Sequence, residues 1–214
     1  MEKSNSDRAC VQVFAKICAS ISHEIKNTLS IINENAGLLE DFAQMAGENE
    51  GVSIERVQLV TQTIARQVDR SNTIMKNLNR FAHSSDSYLA QGDLGEVLAL
   101  MVELTGRQAA MKNITTSLSC SPGITLFTYL ITFESLIYLT ILTLFQVGRE
   151  GGTLAIEAKE VAANLSICFS IEQRDQLSLD NYPDQDQKLL LDQLRASCRS
   201  EKDRLYLTLP AVKR

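Results

Sequence analysis

Tryptophan is absent from the 214 residues, and proline occurs only three times. So few breakers and turn-formers leave helix to dominate. The chain has only two histidines, and its five cysteines (Cys10, Cys18, Cys120, Cys168, Cys198) include no Cys-x-x-Cys pair. This argues against a zinc site, and the odd cysteine count fits a reduced, cytoplasmic setting better than a disulfide framework. Positive charge is in short supply as well. Up to Asp86 there are eleven acidic residues against nine basic ones, and beyond it fifteen against twelve. Neither half is basic, which argues against nucleic acid as the main partner. No glycine occurs from Thr153 to Arg214. A loop that cradles phosphate with closely approaching backbone N–H groups has no basis in that stretch. The opening residues MEKSNSDRA are polar and lack the apolar centre of a signal peptide.

One long apolar run is present, ITLFTYLITFESLIYLTILTLFQVG at 124–148. Its length invites a transmembrane reading. Glu134 near its middle, its many threonines and the lack of a basic cluster at either flank weigh against membrane insertion. A short strand followed by a helix buried on most sides accounts for it better.

What the sequence does carry is periodicity. Apolar residues recur at Phe14, Ile17, Cys18, Ile21, Ile25, Leu29, Ile32, Ala36 and Leu39, the spacing of an amphipathic helix. At roughly 100° per residue these positions cluster within about 60° of one direction, and His23 falls about 180° away. A ring packed into a core would lie on the stripe, so His23 points into water, with Glu24 beside it. An exposed imidazole at such a place is a candidate nucleophile or proton carrier. His83, near the end of the next helix, suits the helix dipole and is given no catalytic part. The sequons at Asn113 and Asn164 are chance matches in a chain without a secretory signal.

The first helix is predicted from about Ser6 to Ala46, ending at the loop GENEG, 47–51. Ser53 can cap a second helix with apolar residues at Ile54, Val57, Val60, Ile64, Val68, Met75, Leu78 and Ala82, ending near Ser84–Ser87. Two long helices with one narrow stripe each cannot shield those stripes as a lone hairpin. Pairing with a second copy into a four-helix bundle is the default, so a homodimer is expected. Beyond a connector at 88–92, Asp93 can cap one helix through GEVLALMVELTGRQAAMKN. ITTSLSCS, Ile124–Phe127, TLAIEAKEV, ANLSICFSIEQ and RLYLTLP read as strands, with the apolar helix and KLLLDQLRASC as the remaining helices. The predicted fold is an all-α hairpin over 1–87, followed over 88–214 by a two-layer α/β sandwich with helices on one face of a mixed sheet.

In this order the segments resemble the core of a bacterial sensor histidine kinase. HEIKNTL is similar to the family's phospho-acceptor box. NLNRFA, GDLGEVLALMVELTGRQAAMKNI, EGGTLAIEA and the closing YLTLP resemble successive family landmarks. The resemblance covers nearly the whole chain and implies a dimerisation and histidine-phosphotransfer hairpin joined to an ATPase-type sandwich. The departures are as informative. Aligned on Gly151-Gly152, the family's magnesium- and phosphate-holding asparagines fall at Leu139 and Thr143. Leu139 has no oxygen to offer a hard cation, and Thr143 has only a neutral hydroxyl. The family's Asp-x-Gly-x-Gly turn corresponds to SIEQRDQ, with Ile171 near the position of the Asp. ATP binding is therefore expected to be lost, and no cofactor is expected.

The resemblance then implies a histidine phosphotransferase of a two-component phosphorelay, working without ATP-dependent autophosphorylation. His23 would exchange a phosphoryl group with a response-regulator receiver domain, which supplies the magnesium. Glu24 would set the ring tautomer, and Asn27, one turn on, would orient a hydrolytic water. Ser20, Ser22, Lys26 and Ser30 would form the receiver contact. Thr28 stands where proline is common in the family, which removes the proline-induced bend from what the resemblance implies. A cognate histidine kinase is a further candidate partner, phosphorylating His23 in trans. The rival reading is a pseudo-histidine-kinase scaffold that binds receivers or a true kinase without phosphotransfer. A third is an active kinase with an unrecognised nucleotide site.

Overall fold

The structure is a computed structural model that describes residues 2–46, 53–162, 164–171, 182–201 and 204–210. The chain divides into two compact units, one formed by Met1–Ile17 with Arg80–Arg214 and the other by Cys18–Asn79. The predicted GENEG turn lies outside the described residues.

The second unit is the body of a helical hairpin. Its helices are the inner stretches of α1 (Glu2–Ala46, 45 residues) and α2 (Ile54–His83, 30 residues). Neither helix contains proline, so the hydrogen-bond ladder runs uninterrupted. Ser53 starts α2 as the sequence predicts. Its carbonyl accepts from the amides of Arg56 and Val57, and its hydroxyl donates to Glu55. Within this unit the covered line of α1 runs through Ile21 and Thr28, while Leu29 is 56% exposed. The apolar stripe and the covered face thus coincide only in part. On α2, Val60 is buried, and Val68 and Met75 stand in solvent.

The first unit is an α/β sandwich that also incorporates the base ends of both long helices. Its sheet has the order β2-β4-β5-β7-β6, where β2 is Thr115–Cys120, β4 Thr153–Val161, β5 Asn164–Ile171, β6 Ser197–Glu201 and β7 Arg204–Pro210. β2 and β4 are parallel and the other pairs antiparallel, so the sheet is mixed. A separate antiparallel pair joins β1 (Ala90–Asp93) to β3 (Thr125–Thr128). Here the last three residues of the predicted connector, 90–92, prove to be strand, because their partner supplies the pairing that AQGD alone does not specify. The helix predicted after Asp93 is two helices, α3 (Leu94–Leu104) and α4 (Gly106–Met111). Asp93 caps the first, accepting from the Glu96 amide at 3.0 Å. Thr105 ends it with its hydroxyl bonded back to the Met101 and Val102 carbonyls, the local competition that makes threonine a poor interior residue.

The core lies between the sheet and α5 (Leu130–Val147). Leu165, Ile167, Phe169 and Ile171 face inward at every second position of β5. α5 is covered nearly all round, with Phe133, Leu136, Ile137 and Ile141 fully buried. Among the described residues it is the one helix long and apolar enough to cross a membrane, and most of it is enclosed within the protein. Gly148 ends it where a Cβ would crowd the Ile171 side chain and the Leu144 carbonyl, so a larger residue would force Ile171 to shift. Gly151, at φ +76°, then makes the turn into β4.

Candidate functional site

His23 sits midway along α1 on the hairpin unit, and its side chain is exposed. Among the described residues none hydrogen-bonds its ring. Lys26, Asn27, Ser22 and Ser30 are exposed around it, and Asn27 follows one helical turn later. Ser22 returns its hydroxyl to the Cys18 carbonyl at 2.8 Å. Ser20 differs from this group. It is only 9% exposed and lies on the covered side of the helix.

Glu24 is half-buried and turned toward the second helix, with an oxygen 4.0 Å from the Arg70 guanidinium. Glu24 and Arg70 thus pair loosely across the two helices of the hairpin. Thr28 is buried and α1 continues through it. Its hydroxyl donates to the Ile25 carbonyl at 2.9 Å and lies 2.8 Å from the Ser71 hydroxyl of α2. Neither Arg70 nor Ser71 stood out in the sequence. Both sit among polar residues of α2, and only the pairing of helices distinguishes them.

Leu139 and Thr143 of α5 are the positions that the resemblance aligns with the family's asparagines. Leu139 is buried. Thr143 donates to the Leu139 carbonyl at 3.0 Å and accepts from the Gln187 amide at 3.1 Å. Gln187 belongs to α6 (Gln185–Leu194), which packs on α5 through Leu190, Leu191 and Leu194. A capping box fixes the start of α6, with Asp184 and Gln187 each accepting from the other's amide. Tyr182 adds a 3.0 Å bond to Thr140, and burial raises the pKa of its phenol. Gln187 of α6 and Tyr182 ahead of it thus engage the hydroxyls of Thr143 and Thr140 on α5. Ile171 is buried in the core. The remainder of the SIEQRDQ stretch, 172–176, lies outside the described residues. Among the described residues no group of three or more His, Cys, Asp or Glu is placed to hold a metal ion.

Glu134 escaped the sequence reading except as an argument against a membrane. It is buried on α5 and accepts from the Ser84 hydroxyl at 2.9 Å. Desolvation pushes its pKa up to about 8, against the opposing pull of Ser84 and the Arg80 charge.

No protein-family model and no curated protein matches the sequence. Solved structures do match by shape. The histidine kinase AdeS of Acinetobacter baumannii is similar with a TM-score of 0.52 at 11% identity, over 89% of this chain and 98% of that one. The catalytic domain of histidine kinase ThkA, in a nucleotide-free form, is similar with a TM-score of 0.50 at 8% identity, over 58% of this chain and 98% of that one. At such identities it is the architecture that is shared. The chain has the fold of a histidine kinase core, a helical hairpin followed by a mixed α/β sandwich.

Proposed function

We propose that the chain is a histidine phosphotransferase of a two-component phosphorelay, with 1–87 as its dimerisation and transfer hairpin and 88–214 as an ATPase-like domain that has lost its nucleotide. The observation that carries this reading is the contrast between two sites of one fold. His23 is exposed and unencumbered by described bonds, while Leu139 and Thr143 stand at the asparagine positions under α6. A ring nitrogen with a free lone pair attacks the phosphorus of a receiver's aspartyl phosphate. The N–P bond forms, the P–O bond breaks, and the aspartate leaves as carboxylate. The protein's contribution is position and charge. Glu24, held toward Arg70, places a negative charge beside the cationic ring that results. The reverse step passes the group to a second receiver.

Ser22, Lys26 and Ser30 share the exposed surface around His23 and form the receiver contact in this reading, with Ser20 behind them. Asn27 stands where it orients water for hydrolysis. Exposed Leu29, Val68 and Met75 support the homodimer, because a second hairpin would cover them. A cytoplasmic location accords with five free cysteines.

The test is phosphoryl transfer from a panel of phosphorylated receiver domains to the wild type and to His23→Ala. Acid-labile, base-stable label on the wild type alone supports the proposal. Receivers that bind without labelling the protein would favour the scaffold reading. Calorimetric binding of Mg-ATP would restore the kinase reading.

A further inference from the structure

The first unit contains a cavity of about 460 Å³, within the size range of pockets that enclose small organic ligands. Four separated segments wall it: the first turns of α1, the end of α2 with the link that follows, the start of α5, and the end of α6. One wall is aromatic. Tyr88 and Tyr129 meet edge to face with centroids 4.5 Å apart. Phe14 also lines the space, and its ring stacks at 6.1 Å on the fully buried Phe81, which anchors it.

Polar groups are few, and two of them satisfy each other. Thr132 is buried and donates to the Gln193 side-chain oxygen at 3.3 Å. The Cys10 thiol is kept neutral by burial, which raises its pKa. Asp7 is the only charged residue in the lining among the described residues, and it is exposed. An apolar, aromatic-walled space with a single carboxylate at its edge selects a flat apolar body carrying one positive charge. Cation–π attraction to the tyrosine faces acts in the same direction.

We infer that this cavity is a binding site for small aromatic or apolar amines, distinct from the His23 surface and independent of any phosphotransfer. The alternative occupant is a second copy of the chain, since Val11 at the rim is exposed.

The test titrates the full chain with 2-naphthylmethylamine, 2-naphthylmethanol and 2-naphthylacetate, following binding by calorimetry. Saturable one-to-one binding is expected, strongest for the amine and weakest for the carboxylate. Asp7→Asn should weaken the amine about 2- to 5-fold and leave the alcohol unchanged, as befits loss of one exposed charge pair. Ser85→Trp, at an exposed lining position, should abolish binding of all three by filling the space. Absence of saturable binding, or binding indifferent to both substitutions, overturns the inference. Amine affinity that falls as chain concentration rises also overturns it, because a second copy then fills the cavity.

Discussion

Helix α5 and the hairpin body of α1 both carry apolar residues at close intervals, but the chain treats them differently. Around α5 the sheet, α3 and α6 close in, and side chains such as Leu136 and Ile137 lose all contact with water. In the hairpin unit a leucine of the same chemistry, Leu29, keeps more than half its surface. The sandwich satisfies its apolar surface internally. The hairpin leaves part of its own apolar surface in water, on a helix that also exposes His23. The proposed homodimer would draw on that difference, since the hairpin and not the sandwich has apolar surface left to bury.

The most forceful way to break this comparison is to make the same substitution in both places. Leu136→Ala should cost roughly 3 to 5 kcal/mol in urea unfolding, the transfer term plus a cavity. Leu29→Ala should shift the stability of the monomer by less than about 0.5 kcal/mol. Equal effects would mean that the two regions do not differ as argued.

Much of this contrast was legible in the sequence. α2, β4 and β7 follow from periodicity and capping, because each segment's own pattern agrees with its final place. β1 and β6 did not. AQGD and SCRSE have neither alternation nor β-branched content, and they are strands only because β3 and β7 pair with them. The apolar pattern begins α6 only at Lys188, because its capping box, Asp184 to Gln187, precedes the apolar residues. The exposure of His23 could be read from its angle to the stripe. The engagement of Glu24 with Arg70 could not, since nothing in one helix says which residue of the other lies opposite.

The second prediction concerns Glu134, the one buried acid among the described residues of the sandwich. Glu134 has its ordinary pKa near 4.5 when the chain is unfolded and about 8 when folded. Below pH 4.5 both states hold the proton. Between these values the unfolded chain releases it while the folded one keeps it, so stability falls as pH rises. From pH 5 to 8 the loss from this group is roughly 3 kcal/mol. Glu134→Gln should flatten that slope in denaturation experiments across the range. A slope unchanged by the substitution would assign the pH dependence to other groups.

The third sharpens the hairpin's side of the comparison. Leu29→Glu and Val68→Glu each place a charge on the uncovered apolar surface. Either should weaken self-association about 10- to 100-fold, which sedimentation measures, while circular dichroism stays unchanged. Self-association untouched by both charges would move the dimer contact elsewhere.

The smallest effect is expected where the hairpin does complete itself. Each of Thr28 and Ser71 has one hydroxyl proton to give and more than one acceptor within reach. Thr28 faces the Ile25 carbonyl and Ser71, and Ser71 faces Thr28 and the Gln67 carbonyl at 2.9 Å. Whichever donates across the gap, the other still has its own helix's carbonyl. Thr28→Val therefore removes one interhelical hydrogen bond without orphaning Ser71, and should cost about 1 kcal/mol. Ser71→Ala should cost a similar amount. In the double variant the two losses should not add, because a single bond is lost in both cases, leaving a coupling of about 0.5 to 1 kcal/mol in a double-mutant cycle. Full additivity would show that the two hydroxyls serve only their own helices, and that the register of α1 against α2 near His23 is set by packing alone.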